Sequence, residues 1–182
     1  MLDTLLSIDR FLFLSINQLP HVFLADTFAS FLSGIGEWGL VWILFSILLF
    51  IREERKNHIF FLPFLVSGFS ALMVSEFIIK FIVSRPRPSI DMGAIIVGGG
   101  VYGYSFPSTH ATIAFALAFV FSNVEPKLRR WFYLLAVAIG FSRIYLGVHY
   151  PFDVLAGALI GSGIGILSLR VNSFLLSCFK TR

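Results

Sequence analysis

The chain has 182 residues, of which 57% are hydrophobic and 13% are charged, and its formal charge is +4 at pH 7. Soluble domains have about 45–50% apolar and about 25% charged residues, so this composition excludes an ordinary soluble domain and indicates a membrane protein. The basic residues form short clusters between apolar segments rather than one stripe, which argues against nucleic-acid binding. With Cys178 as its single cysteine, the chain has neither an intrachain disulfide nor a cysteine-based metal site.

The N-terminal region contains two apolar stretches that are interrupted by polar residues. The first, residues 1–20, carries charged and amide side chains at Asp3, Asp9, Arg10, Asn17 and Gln18. This mixture predicts an amphipathic helix at the membrane interface. Residues 22–35 are apolar but short and contain Asp26, which predicts a partial or re-entrant helix. The alternative is that both stretches together form one true span.

Five later segments have the length and apolar character of transmembrane helices. They cover residues 38–51, 58–84, 108–124, 131–148 and 151–169. Trp38 and Trp42 stand near one end of the first segment, as interfacial aromatic residues do. The expected fold is all-α, a polytopic membrane helix bundle of five to six transmembrane helices with an interfacial or re-entrant N-terminal region. We expect residues 1–182 to form one domain.

The last predicted span carries a repeat of small residues. Gly157, Gly161 and Gly165 recur every four residues. This spacing places them on one helix face and allows the backbone of a second helix to approach closely. We therefore expect this face to pack against a neighbouring helix.

Ionisable and polar residues collect where the predicted spans begin or end. Charged side chains are costly inside a bilayer, so each one requires a partner or a function. Tracing the spans as alternating hairpins places one set on the same membrane face: Lys80, Arg85, Arg87, Ser108, Thr109, His110, Ser142, Arg143, His149 and Asp153. This convergence of distant segments is the strongest sequence evidence for a site.

Two predicted helix starts supply the local geometry of that site. Ser108 is a favoured N-cap type, so His110 falls in a first turn, where free backbone N–H groups bind phosphate readily. Pro151 suits the first position of the next helix, which places Asp153 within reach of His149. A carboxylate bonded to one imidazole nitrogen fixes the tautomer and leaves the other nitrogen free to attack.

The charges of these residues suit phosphoryl transfer. Lys80, Arg87 and Arg143 are fixed cations that can neutralise the oxygens of a phosphoryl group in flight. Two histidines allow one to attack phosphorus while the other protonates the departing oxygen. This chemistry is complete without a metal or another cofactor.

Three blocks of sequence resemble the signatures of a known family. Residues 80–88 read K-x6-R-P, residues 107–110 read P-S-T-H, and residues 142–153 read S-R-x5-H-x3-D. Together they resemble the type-2 phosphatidic acid phosphatase superfamily, which also includes soluble vanadium haloperoxidases. The resemblance covers about residues 37–170. The family's second block usually has glycine where Thr109 stands, a departure that affects only the local loop conformation.

The resemblance implies a role for each matching residue. His149 would be the nucleophile, Asp153 its partner and His110 the general acid. The residues that would bind the phosphoryl group are Lys80, Arg87, Ser108, Thr109 and Arg143.

Several other polar residues receive structural interpretations. Glu76 lies one turn before Lys80, so we expect an ion pair that holds the lysine. Proton transfer is the lesser alternative for Glu76. Arg85 either touches the substrate headgroup or sits in solvent, and we leave it outside the predicted site. His21 and His58 are interpreted as interfacial polar residues.

The sequence and the resemblance together predict a membrane lipid phosphatase that acts on a phosphomonoester or diphosphate. Its expected partners are the lipid bilayer and a lipid phosphate substrate, with no nucleic acid and no cofactor. We favour undecaprenyl diphosphate as the substrate, because the chain is small and resembles compact bacterial members. Phosphatidylglycerophosphate, phosphatidic acid and lipid A phosphate are the alternatives.

Three other function classes fit the sequence less well. A transporter would scatter charges through span centres or place them at paired broken helices, whereas here they cluster at one end. An intramembrane serine protease would use Ser108 or Ser162, but Ile160 stands where that family's pattern has glycine. A metal hydrolase would use His110, His149 and Asp153, and its activity would not survive chelation.

Basic clusters predict the orientation of the chain in the membrane. Lys and Arg are enriched in short cytoplasmic loops. Nine of them lie within residues 52–57, 125–130 and 170–182, which share one face by hairpin alternation. The expected location is therefore the cytoplasmic membrane, with the site on the extracytoplasmic face.

Overall fold

The part of the chain that the structure describes is built from helices. A computed structural model describes residues 2–53, 62–99 and 102–180, and these ranges contain no strand, which agrees with the predicted all-α class. The α-helices are α1 (Leu2–Asn17), α2 (Phe23–Gly36), α3 (Leu40–Glu53), α4 (Leu62–Leu72), α5 (Lys80–Val83), α6 (Thr109–Val124), α7 (Arg129–Tyr145) and α8 (Pro151–Lys180). Most of the predicted polar break at 52–57, as well as His58, lies outside the described residues.

The two N-terminal stretches form separate helices, α1 and α2, and α2 continues into α3 through a sharp bend. A short 3-10 turn, Glu37–Gly39, joins α2 to α3, and the segments Phe23–Gly36 and Leu40–Leu48 meet at 61°. Gly39 has a φ of +76°, which glycine adopts without strain. The residues predicted as an independent span at 38–51 are therefore one arm of a bent pair.

The described residues do not confirm a count of five to six spans. Leu62–Val83 and Pro151–Ser173 are long and apolar enough to cross a bilayer, and the α2–α3 pair makes a third if it counts as one span. A span needs about 20 residues. α6 has only 16 residues and α7 only 17, so neither reaches that length on its own.

The stretch predicted as a span at 58–84 changes its helical register before it ends. A π-helical segment, Met73–Ile79, connects α4 to α5. Such segments frequently occur at functional sites, because the additional residue in the turn redirects the side chains that follow. Ser84 then adopts a left-handed φ of 48°, which ends the helix shortly before Pro86 and Pro88.

The centre of the bundle is α6, which packs against α4, α7 and α8. At the end of α6 remote from Ser108, the rings of Trp42, Phe64, Phe121 and Phe132 form a buried aromatic core. The interfacial role predicted for Trp42 is therefore wrong. The bend between α2 and α3 turns this side chain inward, and its exposure is 0%.

The glycine repeat of α8 forms the close contact with α6 that its spacing predicts. A Cβ atom added at Gly157 would lie 2.7 Å from the carbonyl oxygen of Ser108, and one at Gly161 would lie 2.2 Å from that of Thr112. At Gly165 the corresponding distance to the Ala116 oxygen is 2.8 Å. These distances are shorter than a van der Waals contact, so only glycine allows the two backbones to approach this closely.

We predict that Gly161→Ala destabilises the protein by about 1–3 kcal/mol, the usual cost of forcing extra atoms into a packed core. Gly163→Ala is the matched control on the same helix, because a Cβ atom there meets nothing within 4 Å. Thermal unfolding in detergent should show a lower midpoint for Gly161→Ala and an unchanged or slightly higher midpoint for Gly163→Ala. Equal midpoints for the two variants would contradict the assigned helix contact.

Candidate active site

The predicted site residues surround one cavity at the end of the bundle where α5 ends and α6 begins. Its volume is about 190 Å³. The residues that line it are Glu37, Leu72, Glu76, Lys80, Arg87, Tyr102, Thr109, His110, Arg143 and His149. Six of the eight predicted site residues are among them. The other two, Ser108 and Asp153, lie behind this lining and are buried.

The imidazole of His149 is oriented by the loop that joins α7 to α8. Its backbone N–H donates to the carbonyl of Arg143, and its Nε2 atom lies 3.2 Å from Nη1 of Arg87. A guanidinium group can only donate hydrogen bonds, so Nε2 must be the acceptor. We therefore assign the proton of the neutral ring to Nδ1. The lone pair of Nε2 is then unprotonated and accepts from Arg87, and both residues line the cavity.

Asp153 lies beside His149, but its carboxylate bonds to other groups. The Oδ2 atom is 3.6 Å from Nδ1 of His149, beyond hydrogen-bond distance, and accepts from the backbone N–H of Tyr150 at 2.9 Å. The Oδ1 atom accepts from Nη1 of Arg85 at 2.6 Å. The carboxylate therefore stabilises the first turn of α8 rather than hydrogen-bonding to Nδ1 of His149.

The surroundings of His149 favour the neutral imidazole. Burial is the main effect that lowers the pKa of His149 well below its usual range. Positive charges lower this pKa further, and they belong to Arg87, Arg143 and Lys80. The backbone of Ser105 acts in the opposite direction. The Nε2 atom of the ring therefore stays unprotonated at neutral pH.

The three predicted cations are each held by protein groups. Nζ of Lys80 donates to Oε2 of Glu76 at 2.5 Å, which confirms the expected ion pair, and Oγ1 of Thr109 donates to the same oxygen at 2.6 Å. Arg87 donates to the carbonyl of Val148 at 2.8 Å. The Arg143 guanidinium donates to the hydroxyl of Ser33 and is only 8% exposed, so it does not reach out to the interface.

Two guanidinium nitrogens at this cavity lack a hydrogen-bond partner. Nε of Arg87 and Nε of Arg143 are buried, and neither bonds to any residue in the described ranges. Buried donors are normally satisfied, so these two nitrogens are exceptions. The guanidinium groups of the same two residues, which line the cavity, suit an anion with several acceptor oxygens.

The start of α6 has the predicted geometry. Ser108 is the N-cap, and its Oγ accepts from the backbone N–H of Ala111 at 3.5 Å. His110 therefore stands in the first turn and lines the cavity across from the loop that holds His149. The expected anion site at a helix N-terminus thus coincides with the cationic cavity.

Arg85 lies outside the cavity, as predicted, but the alternative that it sits in solvent is wrong. Its guanidinium bonds to Asp9 at 2.7 Å and to Asp153 at 2.6 Å, with only 17% of the side chain exposed. Arg85 therefore neither sits in solvent nor lines the cavity. Its position in the first block, directly before Pro86, did not reveal its partner Asp9, which lies on α1.

The N-terminal region is bound to the site by buried polar groups. Asn17 hydrogen-bonds to both backbone groups of Ile95 and to the carbonyl of Tyr145. His21 bonds to Asp26 at 2.7 Å and stacks on the Tyr145 ring. These contacts connect the α1–α2 turn to the end of α7, directly before the loop that holds His149.

Three cavity residues were not predicted at all. Glu37 comes from the bend between α2 and α3, Leu72 ends α4, and Tyr102 comes from the loop before α6. None of them belongs to a sequence block, so no motif pointed to them. Among the described residues, no group of three or more His, Cys, Asp or Glu side chains is arranged to hold a metal ion.

Comparison with known proteins gives concordant matches. A family model described as the PAP2 superfamily matches residues 60–176, which include all three sequence blocks. The chain is 34% identical over 149 residues to the undecaprenyl-diphosphatase of Sulfolobus acidocaldarius, covering 79% of this chain and 68% of that protein. It is 32% identical over 180 residues to the lipid A 4'-phosphatase of Porphyromonas gingivalis, covering 93% and 75%.

The fold also matches a solved structure. The crystal structure of a transmembrane PAP2 type phosphatidylglycerolphosphate phosphatase from Bacillus subtilis superposes with a TM-score of 0.73 and 23% sequence identity. The match covers 93% of this chain and 87% of that one.

Proposed function

The chain belongs to the PAP2 superfamily, and from this premise we propose that it hydrolyses undecaprenyl diphosphate through a phosphohistidine at His149. At the coarser level the chain is a membrane lipid phosphatase. The observation that carries the mechanism is one cavity that is lined by His149 together with three cationic side chains, Lys80, Arg87 and Arg143. The cavity therefore combines a nucleophile with groups that bind an anion.

In the first step, the Nε2 lone pair of His149 attacks the terminal phosphorus of the lipid diphosphate. Arg87, Arg143 and Lys80 neutralise the charge on the phosphoryl oxygens, which supplies most of the catalysis in phosphoryl transfer. The bond from phosphorus to the bridging oxygen breaks, and His110 protonates that oxygen as it leaves. As the general acid, His110 must carry a proton when the substrate is bound, and the charge of the bound anion favours that protonated form.

In the second step, water attacks the phosphohistidine. His110 now acts as the base and removes a proton from the water, the reverse of its first role. Inorganic phosphate leaves, and His149 returns to its neutral form. Ser108 and Thr109 support this sequence by fixing the first turn of α6, and each step proceeds without a metal ion.

The choice of substrate rests on the relatives and on charge. A relative with 34% identity is named for the diphosphate of undecaprenol. A lipid diphosphate carries more negative charge than a monoester, which suits a cavity lined by Lys80, Arg87 and Arg143. The second candidate is a lipid A 4'-phosphate, because the relative of that name matches 93% of this chain.

We further propose that residues 1–182 act as one phosphatase domain in the cytoplasmic membrane, with the cavity on the extracytoplasmic face. The hydrogen bonds that connect Asp9 and Asn17 with residues near the site support one domain. The orientation is supported by the basic residues at 125–130, which lie at the end of the bundle remote from His149. The remaining basic clusters lie wholly or partly outside the described residues.

We predict that the purified protein releases phosphate from undecaprenyl diphosphate faster than from lipid A 4'-phosphate, phosphatidylglycerophosphate or phosphatidic acid. His149→Ala should lower kcat by about a thousandfold or more, because the variant lacks the group that forms the covalent intermediate. The measurement is phosphate release in detergent from a matched panel of these lipids.

Ser162→Ala is the control on α8, and it should retain full activity. A large loss in that variant would favour the serine alternative, whereas loss of wild-type activity on thorough chelation would favour a metal hydrolase. Substantial turnover by folded His149→Ala would overturn the assignment of the nucleophile.

For the orientation, we predict that a cysteine placed at Asp91 reacts with a membrane-impermeant thiol reagent in intact cells. A cysteine at Lys127 should react only after the cells are opened. Both residues are exposed, and both variants are made in a Cys178→Ser background so that each carries a single thiol. The opposite labelling pattern would mean that the cavity faces the cytoplasm.

A further inference from the structure

Asp9 is a buried carboxylate on a helix that the sequence places at the membrane interface. Its side chain is 0% exposed. Its Oδ2 accepts from Nη2 of Arg85 at 2.7 Å, and its Oδ1 accepts from the backbone N–H of Phe152 at 2.9 Å. A buried charge requires partners of this kind, and Asp9 takes both of them from the surroundings of the candidate active site.

Arg85 connects this carboxylate to Asp153. Its Nη1 donates to Oδ1 of Asp153 at 2.6 Å, while Nη2 donates to Asp9, so a single guanidinium bridges the two acids. The guanidinium also lies over the ring of Tyr150, 4.0 Å from its centroid. Its backbone carbonyl accepts from the N–H of Ser105 at 2.8 Å. Arg85 is therefore held in place by several contacts and does not turn toward a phosphate bound in the cavity.

The bridge sets the orientation of the carboxylate beside His149. With Oδ1 of Asp153 taken by Arg85, Oδ2 is directed to the N–H of Tyr150 and stands 3.6 Å from Nδ1 of His149. This is the side of the ring that carries the proton. A movement of the carboxylate would change the orientation and the charge stabilisation of the imidazole at the moment when Nε2 bonds to phosphorus.

We propose that Asp9 is a positioning residue for the phosphatase reaction, acting through Arg85 on Asp153 and thereby on His149. This inference rests on the proposed role of His149. Helix α1 then contributes to catalysis through Asp9. Asp9 does not line the phosphate cavity, so its effect should fall on the chemical step rather than on substrate binding.

Charge gives the direction of the effect. The group of Asp9, Arg85 and Asp153 carries one net negative charge beside an imidazole that becomes positive when it is phosphorylated. Neutralising Asp9 removes that excess charge and leaves Arg85 with one carboxylate. The phosphohistidine and the transition state before it should both become less stable, so kcat falls.

Asp9→Asn separates the two bonds of this side chain. The amide oxygen of asparagine can still accept from the N–H of Phe152, so the start of α8 keeps its bond. The amide nitrogen cannot accept from Arg85, so only the bridge is lost. Asp3→Asn is the matched control, because Asp3 is exposed in the first turn of the same helix.

The test measures kcat and KM for undecaprenyl diphosphate and thermal unfolding in detergent for wild type, Asp3→Asn, Asp9→Asn, Arg85→Gln and the double variant Asp9→Asn/Arg85→Gln. Asp9→Asn should lower kcat about 10- to 100-fold, the range for residues that orient catalytic groups, with KM nearly unchanged. Asp3→Asn should match wild type. In the Arg85→Gln background, Asp9→Asn should cause little further loss, because the two residues act through one bridge.

Wild-type kcat in folded Asp9→Asn would overturn the inference, and so would an undiminished effect in the Arg85→Gln background. If Asp9→Asn does not fold, Arg85→Lys decides, since an ammonium keeps the charge but cannot hold both carboxylates in a planar fork. It should show the same loss of kcat, and full activity would contradict the proposal. A wild-type protein inactive on every lipid phosphate would overturn the proposed function itself, and this inference with it.

Discussion

A buried charge must have a partner, and this constraint organises the functional end of the molecule. Lys80, Arg85 and Arg143 are each largely removed from solvent, and each is held by an oxygen of another side chain. Leaving such a charge unpaired in a low-dielectric region would cost several kcal/mol. The pairings therefore restrict which segments of the chain can lie next to one another. The pairings join α1, α2, the π-helical segment and α8 around one cavity.

Close helix packing provides the rigid frame for these charges. The glycines of α8 allow its backbone to approach that of α6, which begins at the Ser108 N-cap. His110 lies at the start of α6, and His149 lies directly before α8. The distance between the two imidazoles is therefore set by a contact between helix backbones, which is stiffer than any contact between side chains. A reaction that needs an attacking group and a proton donor on opposite sides of one phosphorus benefits from such a frame.

Local rules explain which parts of this molecule could be predicted from its sequence. The N-cap at Ser108, the helix start at Pro151 and the Glu76–Lys80 pair each depend on residues within a few positions of one another. The bridge from Asp9 to Arg85 joins residues 76 positions apart, and no local pattern reveals such a pair. Trp42 was misassigned for a similar reason, because the bend at Gly39 decides which way its side chain points. The predicted number of spans was based on apolar runs in the sequence. Such runs do not show where helices of 14 to 17 residues bend or end.

The central claim is that His149 becomes phosphorylated during turnover. Its most direct test is rapid quenching of the purified enzyme with undecaprenyl diphosphate labelled at the terminal phosphorus, followed by peptide mapping at alkaline pH, where phosphohistidine survives. We expect label on the peptide that contains His149, at an amount that rises and falls with turnover, and none in His149→Ala. Label on His110, on a serine or on any other residue would contradict the proposed mechanism.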